Sequence, residues 1–247
     1  GVLDDIHEVS TKSRFFAEII AGLLMTVWGG VVLYNVGNLL GIGAIHFPYV
    51  IGIFFTIFAS IGIINAVNMT DGLDGFAGSL VLTQFIALAV VVWMGQGFND
   101  LSIIILYIAT LIGFLLFNFP FLKRAQAAVF MGDAGSMLLG FSVVWFLVKL
   151  SQGEHPFIAP VACLWVMAIP LFETGSAIFR RLLKRQSPFK ADREHIHHSL
   201  QRLGFTPLVI VFSMSVLSLL LAAIGILTSK LGVAEPLMFL IFVILFI

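Results

Sequence analysis

Two adjacent carboxylates, Asp4 and Asp5, stand near the start of the chain and are followed by Lys12 and Arg14. Paired acids repel each other, so keeping both ionised calls for a cation or a basic partner nearby. The plainer reading is a helix N-terminus, with acids favouring the dipole and bases meeting lipid headgroups. A second group runs Asn65-Ala-Val-Asn68-Met-Thr-Asp71-Gly72-Leu73-Asp74-Gly75, between two apolar stretches. A tight turn uses Asn, Asp and Gly, but it needs only two or three of them. Asn68, Asp71 and Asp74 share a face if the preceding helix continues that far. Oxygen donors of this kind suit Mg²⁺, which takes carboxylates, substrate phosphates and water.

The third group is Phe130-Met131-Gly132-Asp133-Ala134-Gly135-Ser136. Gly132, Gly135 and Ser136 read as a helix-packing face of small residues. Asp133 has no such explanation. It lies about one turn inside an apolar run, where an ionisable residue is costly and usually functional. The fourth group starts at Arg180-Arg181 and Lys184-Arg185 and ends in Asp192-Arg193-Glu194-His195-Ile196-His197-His198. The basic half suits an anionic lipid surface. The histidines lack the cysteine or carboxylate companions of a zinc site, so histidine and arginine holding phosphates is the better reading. Two further acids have bland explanations: Glu18 lies four residues after Arg14 and can pair with it, and Glu173 lies two turns before Arg180.

Acids that hold a divalent metal, a metal that bridges a pyrophosphate, and cations that absorb the leaving charge make a site for phosphate transfer. The rest of the chain says where such a site sits. Of 247 residues, 60% are hydrophobic and 11% charged, against about a quarter charged in soluble domains. Mean hydropathy is +1.10. Soluble, disordered and nucleic-acid-binding classes are excluded together, and the formal charge of zero names no partner. Cys163 is the sole cysteine and can form neither an internal disulfide nor a thiolate metal site.

The expected fold is all-α and polytopic. Apolar runs predict seven complete spans, at about 16–37, 48–67, 76–94, 101–117, 128–149, 157–179 and 207–228, and a partial one at 236–247. Helices are favoured because they satisfy their own backbone hydrogen bonds in lipid. One integral membrane domain, 1–247, is expected, as part of a longer protein with more helices before it and more chain after it. Lys12, Arg14, Lys123, Arg124, Arg180, Arg181, Lys184, Arg185, Lys190, Arg193 and Arg202 fall on one set of alternate loops, leaving only Lys149 and Lys230 on the other. The positive-inside rule makes the first set cytoplasmic. The four polar groups lie on that side too, so the active site is expected on the cytoplasmic loops.

In order and placement, Asp4-Asp5, NAVNMTDGLDG, FMGDAGS and DREHIHH resemble the motifs of the polyprenyl-phosphate N-acetylhexosamine-1-phosphate transferases. Ile196 interrupts the histidine run, which separates the chain from the peptidoglycan branch with its three adjacent histidines. The resemblance is to the bacterial branch that uses UDP-N-acetylglucosamine. It implies attack of undecaprenyl phosphate on the sugar-linked phosphorus of UDP-N-acetylglucosamine, with release of UMP, at the start of O-antigen and related surface polysaccharides. It implies Mg²⁺, with Mn²⁺ an acceptable substitute, and metal ligands Asp133 and Asn68. Asp4 and Asp5 would position the lipid phosphate or also deprotonate it, and Lys12 would bind substrate. Gly72, Leu73, Asp74 and Phe130 would line a uracil pocket, with Asp71 near ribose and phosphates. His195, His197, His198 and Arg193 would hold the pyrophosphate or sugar. Expected partners are the two substrates, membrane lipid and at most a second copy of the chain, in a bacterial inner membrane with the site facing the cytoplasm. The competing readings are the same chemistry on another UDP-sugar and, from a different class, a transporter, which would carry its acids at the bilayer midplane in repeated halves.

Overall fold

The computed structural model describes residues 10–119, 127–187 and 196–246. Among them the regular structure is helical: α1 (Thr11–Leu23, continued by a π-helical turn Leu24–Trp28), α2 (Tyr49–Met69), α3 (Phe76–Met94), α4 (Phe98–Asn118) and α5 (Gly132–Ser151). These are followed by α6 (Pro160–Val166), α7 (Ala168–Leu183), α8 (Ile196–Arg202), α9 (Pro207–Lys230) and α10 (Glu235–Phe246). The helix starts follow from local chemistry. The Ser10 hydroxyl accepts from the Ser13 amide at the head of α1. Thr206 does the same for Val209 at the head of α9, where Pro207 fills a position that needs no N–H.

Helices α2, α3, α4, α5 and α9 are each long and apolar enough to cross a membrane, and α6 with α7 would make a sixth such span bent by 78°. The chain is therefore a multi-pass membrane protein, with five or six such helices among the described residues, seven complete spans having been expected. Two expectations meet local breakers. The run at 16–37 is helical only to Trp28, because Gly29 and Gly30 follow and Gly30 turns to φ +66. Gly37, Gly41 and Gly43 keep the segment beyond it out of a helix, and it closes on itself through a bridge between Asn35 and His46. The run at 157–179 breaks at Met167. Pro170 lacks the N–H that would bond Val166, and its ring crowds that carbonyl, so α6 ends there and α7 sets off in a new direction.

Lipid tails are as apolar as leucine, so close packing rather than escape from solvent holds these helices together. The outside is coated accordingly by Phe54, Phe58, Phe212 and Leu220, all exposed. Helix α3 is the hub, burying Phe76, Leu80, Val81, Phe85 and Leu88. Phe85 stacks on Tyr107 of α4 at 4.7 Å, and Phe146 of α5 meets both rings edge-on. Helices α2 and α5 approach closely at Gly140, where a side chain would stand 2.8 Å from the Ile64 backbone. Ser136, one turn earlier on the same face, is also buried. This approach carries the end of α2 against the beginning of α5, and the polar groups meet there.

Candidate active site

Asp133 lies in the first turn of α5, where the helix dipole favours a negative charge. Its two oxygens have different partners. Oδ1 accepts from the Asn68 amide at 2.9 Å, from the last turn of α2, and Oδ2 accepts from the Arg14 guanidinium at 2.7 Å, from the first turn of α1. The Asn68 amide also donates to the Ser136 hydroxyl at 2.9 Å, which ties the two helix ends together. The Asp133 side chain keeps 36% of its surface accessible and that of Arg14 keeps 35%. Three helix ends thus converge on one carboxylate that solvent still reaches. Glu18 takes another partner, accepting from the Asn65 amide at 2.9 Å, while Arg14 reaches over to Asp133. Arg14 and Glu18 still interact through charge along α1, and contacts between helices are added to that pairing.

The loop Asp71–Gly75 leaves α2 as a tight turn, with the Asp71 amide bonded to the Asn68 carbonyl at 3.1 Å. It is tethered to the segment before α5. Asp74 accepts from the Ala127 amide at 3.2 Å. Asn118 accepts from the Gly75 amide at 2.9 Å and donates to the Val129 carbonyl at 2.7 Å. Gly72, Leu73 and Asp74 are thereby drawn towards the segment that carries Phe130, whose ring is exposed. Asp71 is half-buried at the turn and Lys12 is exposed on the first turn of α1.

On its other side the loop meets α8. A side chain at Gly72 would stand 2.7 Å from Nε2 of His197, so only glycine allows the ring to lie there. His197 is fully buried. The Phe76 ring meets it edge-on at 5.3 Å, and the His198 ring lies 4.3 Å away. His198 is half-buried and its Nδ1 meets Gln201 at 3.0 Å. Behind His197 stands Glu173 of α7, also fully buried, 3.2 Å from Nδ1.

The structure thus gathers Lys12, Asn68, Asp71, Gly72, Leu73, Asp74, Phe130, Asp133, His197 and His198 at one end of the bundle. Asp4, Asp5, Arg193 and His195 lie outside the described residues. Sequence reasoning left out Arg14 as a partner of the central acid and Ser136 as a partner of Asn68, and it set Glu173 among the bland acids. Glu173 carried a usable signal, since a carboxylate within an apolar run requires a partner. Spacing could not name that partner, which comes from a separate helix 24 residues on.

Among the described residues no three His, Cys, Asp or Glu side chains come together as a metal cage. One carboxylate beside one amide is nevertheless a donor set that suits Mg²⁺, which retains waters and takes its other oxygens from substrate phosphates. The carboxylate already attracts a cation, the Arg14 guanidinium.

Residues 1–151 match glycosyl transferase family 4. Three similar proteins are undecaprenyl-phosphate alpha-N-acetylglucosaminyl 1-phosphate transferases. The one from Escherichia coli strain K12 is 39% identical over 229 residues, 92% of this chain and 61% of the relative. The one from Yersinia pestis is 38% identical over 234 residues, 94% and 63%. The one from Haemophilus influenzae is 36% identical over 246 residues, 100% and 69%. The chain spans about three fifths of the length of the first two relatives. With residues 1–151, more than half of the 247, matching the family, the chain belongs to glycosyl transferase family 4.

Proposed function

We propose that this chain is the membrane body of a sugar-1-phosphate transferase. It would move N-acetylglucosamine 1-phosphate from UDP-N-acetylglucosamine to undecaprenyl phosphate and release UMP, at the cytoplasmic face of a bacterial inner membrane. The observation that carries this is the convergence of three helix ends on the accessible carboxylate of Asp133, beside a loop tethered on both sides. The names of the similar proteins supply the lipid acceptor and the transferred N-acetylglucosaminyl 1-phosphate group, and UMP as leaving group is the reading proposed here.

A lipid phosphate needs little activation as a nucleophile, since its second pKa is near 6 and it is mostly dianionic at neutral pH. Its oxygen attacks the sugar-linked phosphorus. A new P–O bond forms, the bond to the UMP oxygen breaks, and the leaving group departs as the phosphate of UMP with no proton added. The demands on the protein are therefore positioning and charge neutralisation. Asp133 and Asn68 would hold Mg²⁺, which when bound would supply positive charge to the phosphates. Arg14, next to Asp133, is placed to donate to a phosphate oxygen when its carboxylate partner is engaged elsewhere. Lys12, exposed on the first turn of α1, would meet the lipid phosphate. Gly72, Leu73 and Asp74, with Phe130, would frame the uracil, and His197 and His198 back the loop on the opposite side. Asp4, Asp5, His195 and Arg193 would complete the phosphate-binding surface.

The test is UMP release by the full-length protein in detergent with Mg²⁺ and undecaprenyl phosphate. UDP-N-acetylglucosamine, UDP-N-acetylgalactosamine and UDP-N-acetylmuramoyl-pentapeptide are compared side by side. Lipid-dependent release with the first alone is the expected result. Release with another sugar keeps the chemistry and replaces the substrate, and no release from folded protein with any of them rejects the reading.

A further inference from the structure

Glu173 lies within α7 with none of its side chain exposed. An ionised carboxylate in such a place costs several kcal/mol unless hydrogen bonds and charge compensate it. Both of its oxygens are engaged by the beginning of α8. Oε2 accepts from the Ile196 amide at 3.0 Å, Oε1 accepts from the His197 amide at 3.2 Å, and Nδ1 of His197 lies 3.2 Å from Oε1. The first amides of a helix have no partner within it, and here a side chain from α7 supplies one. Oε1 accepts an amide N–H as a carboxylate oxygen does, and an ionised carboxylate is acceptor-only, so we assign the hydrogen of this third contact to Nδ1. That choice decides the other nitrogen: Nε2, facing Gly72, is an acceptor in the neutral ring and gains a proton only when the ring becomes cationic.

We propose that Glu173 is a positioning residue. It anchors the start of α8 to α7 and fixes the tautomer and orientation of His197, so that the imidazole supports the Asp71–Gly75 loop at Gly72. This rests on the function proposed above only for its effect on turnover; the tautomer is a property of the protein itself. Glu173 touches no substrate in this account. It acts through His197, and through His197 on the loop that shares Asn68 with the Asp133 cluster.

Two measurements test it. The first is ¹⁵N NMR of full-length protein labelled at histidine, with the His197 signals assigned by their loss in His197→Ala. Nδ1 of His197 is expected to be protonated, whether the ring is neutral or cationic. An unprotonated Nδ1 overturns the proposal, whatever the activity of the protein. The second is a double-mutant cycle on turnover. Glu173→Gln keeps the volume but presents an amide N–H to N–H donors. It is expected to lower kcat about 30-fold with KM for the nucleotide sugar changed less than about threefold, and Glu173→Asp is expected to recover part of the loss. In the His197→Ala background the same Glu173→Gln change is expected to cost less than about threefold. An equal loss in both backgrounds overturns the proposal, because a purely structural acid would act without His197. If Glu173→Gln does not fold, Glu173→Asp takes its place in the cycle. Absence of turnover in the wild type rejects the proposed function and leaves the NMR result to decide on Glu173.

Discussion

Asp133 and Glu173 are both acids on helices of a bundle built for lipid, and both lie against a side chain that can carry positive charge. Asp133 keeps 36% of its side chain accessible, and its partner Arg14 is just as open. Glu173 keeps none, and His197 almost none. An ion pair as open as the first is worth about 1 kcal/mol or less, because solvent screens it and two long side chains must be held in one geometry. Such a pair can exchange its cation. Breaking a buried charged pair by removing one partner costs about 3–5 kcal/mol, because the other is left without compensation. A pair like that holds its geometry through a reaction. Exposure, more than residue type, therefore separates the acid suited to bind from the acid suited to position.

The largest effect should come from Asp133→Asn. Turnover of the full-length protein is expected to fall at least about 1,000-fold, about 4 kcal/mol of transition-state stabilisation, with no change in melting temperature. A residual rate within threefold of wild type would place the open acid outside the chemistry. Next comes Gly72→Ala, which puts a carbon 2.7 Å from the His197 ring. Something must shift, and about a tenfold loss of kcat is expected, read from initial rates at saturating substrates. Arg14→Gln sharpens the comparison from the opposite side. Two unit charges 4 Å apart repel by about 1 kcal/mol where water screens them, a few-fold in affinity, and the side chains of Arg14 and Asp133 are both open to water. Removing the guanidinium is accordingly expected to tighten Mn²⁺ binding to substrate-free protein several-fold by titration, while turnover falls. The smallest effect belongs at the far end of the bundle. There Gln152 accepts from the amides of Tyr34 and Asn35 and donates back to the Asn35 carbonyl. Gln152→Ala is expected to lower stability by about 1–2 kcal/mol, read as a melting shift, and to leave turnover within twofold.

Several of these residues can be picked out from the amino-acid sequence alone. Asn68, Asp133 and the Asp71–Gly75 turn stand out because polar residues interrupting apolar runs need a reason, and the fold brings them to one end of the bundle. The helices around them follow from the length of those runs: 76–94 as expected and Phe76–Met94 as found. The breaks are harder to read. Hydropathy averages over Gly29-Gly30 and over Pro170, whereas backbone geometry does not, so a span expected at 16–37 ends at Trp28 and another bends at Met167. Partner choice is the least legible. Arg14 lies one helical turn from Glu18 but bonds Asp133, 119 residues away, and Glu173 is spaced to meet Arg180 along α7 but receives the amides of α8. Such contacts depend on how helices cross, and one helix's periodicity says nothing of that.

The central claim is that the open carboxylate is the cation-binding group of a phosphate-transfer site. It is tested most directly by titrating Mn²⁺, which shares the oxygen-rich octahedral preference of Mg²⁺, into full-length protein saturated with UDP-N-acetylglucosamine, and following the loss of the free-ion paramagnetic resonance signal. The wild type and Glu173→Gln are expected to bind one ion with similar affinity, and Asp133→Asn at least about 100-fold more weakly. Equal binding by Asp133→Asn and the wild type would contradict the account.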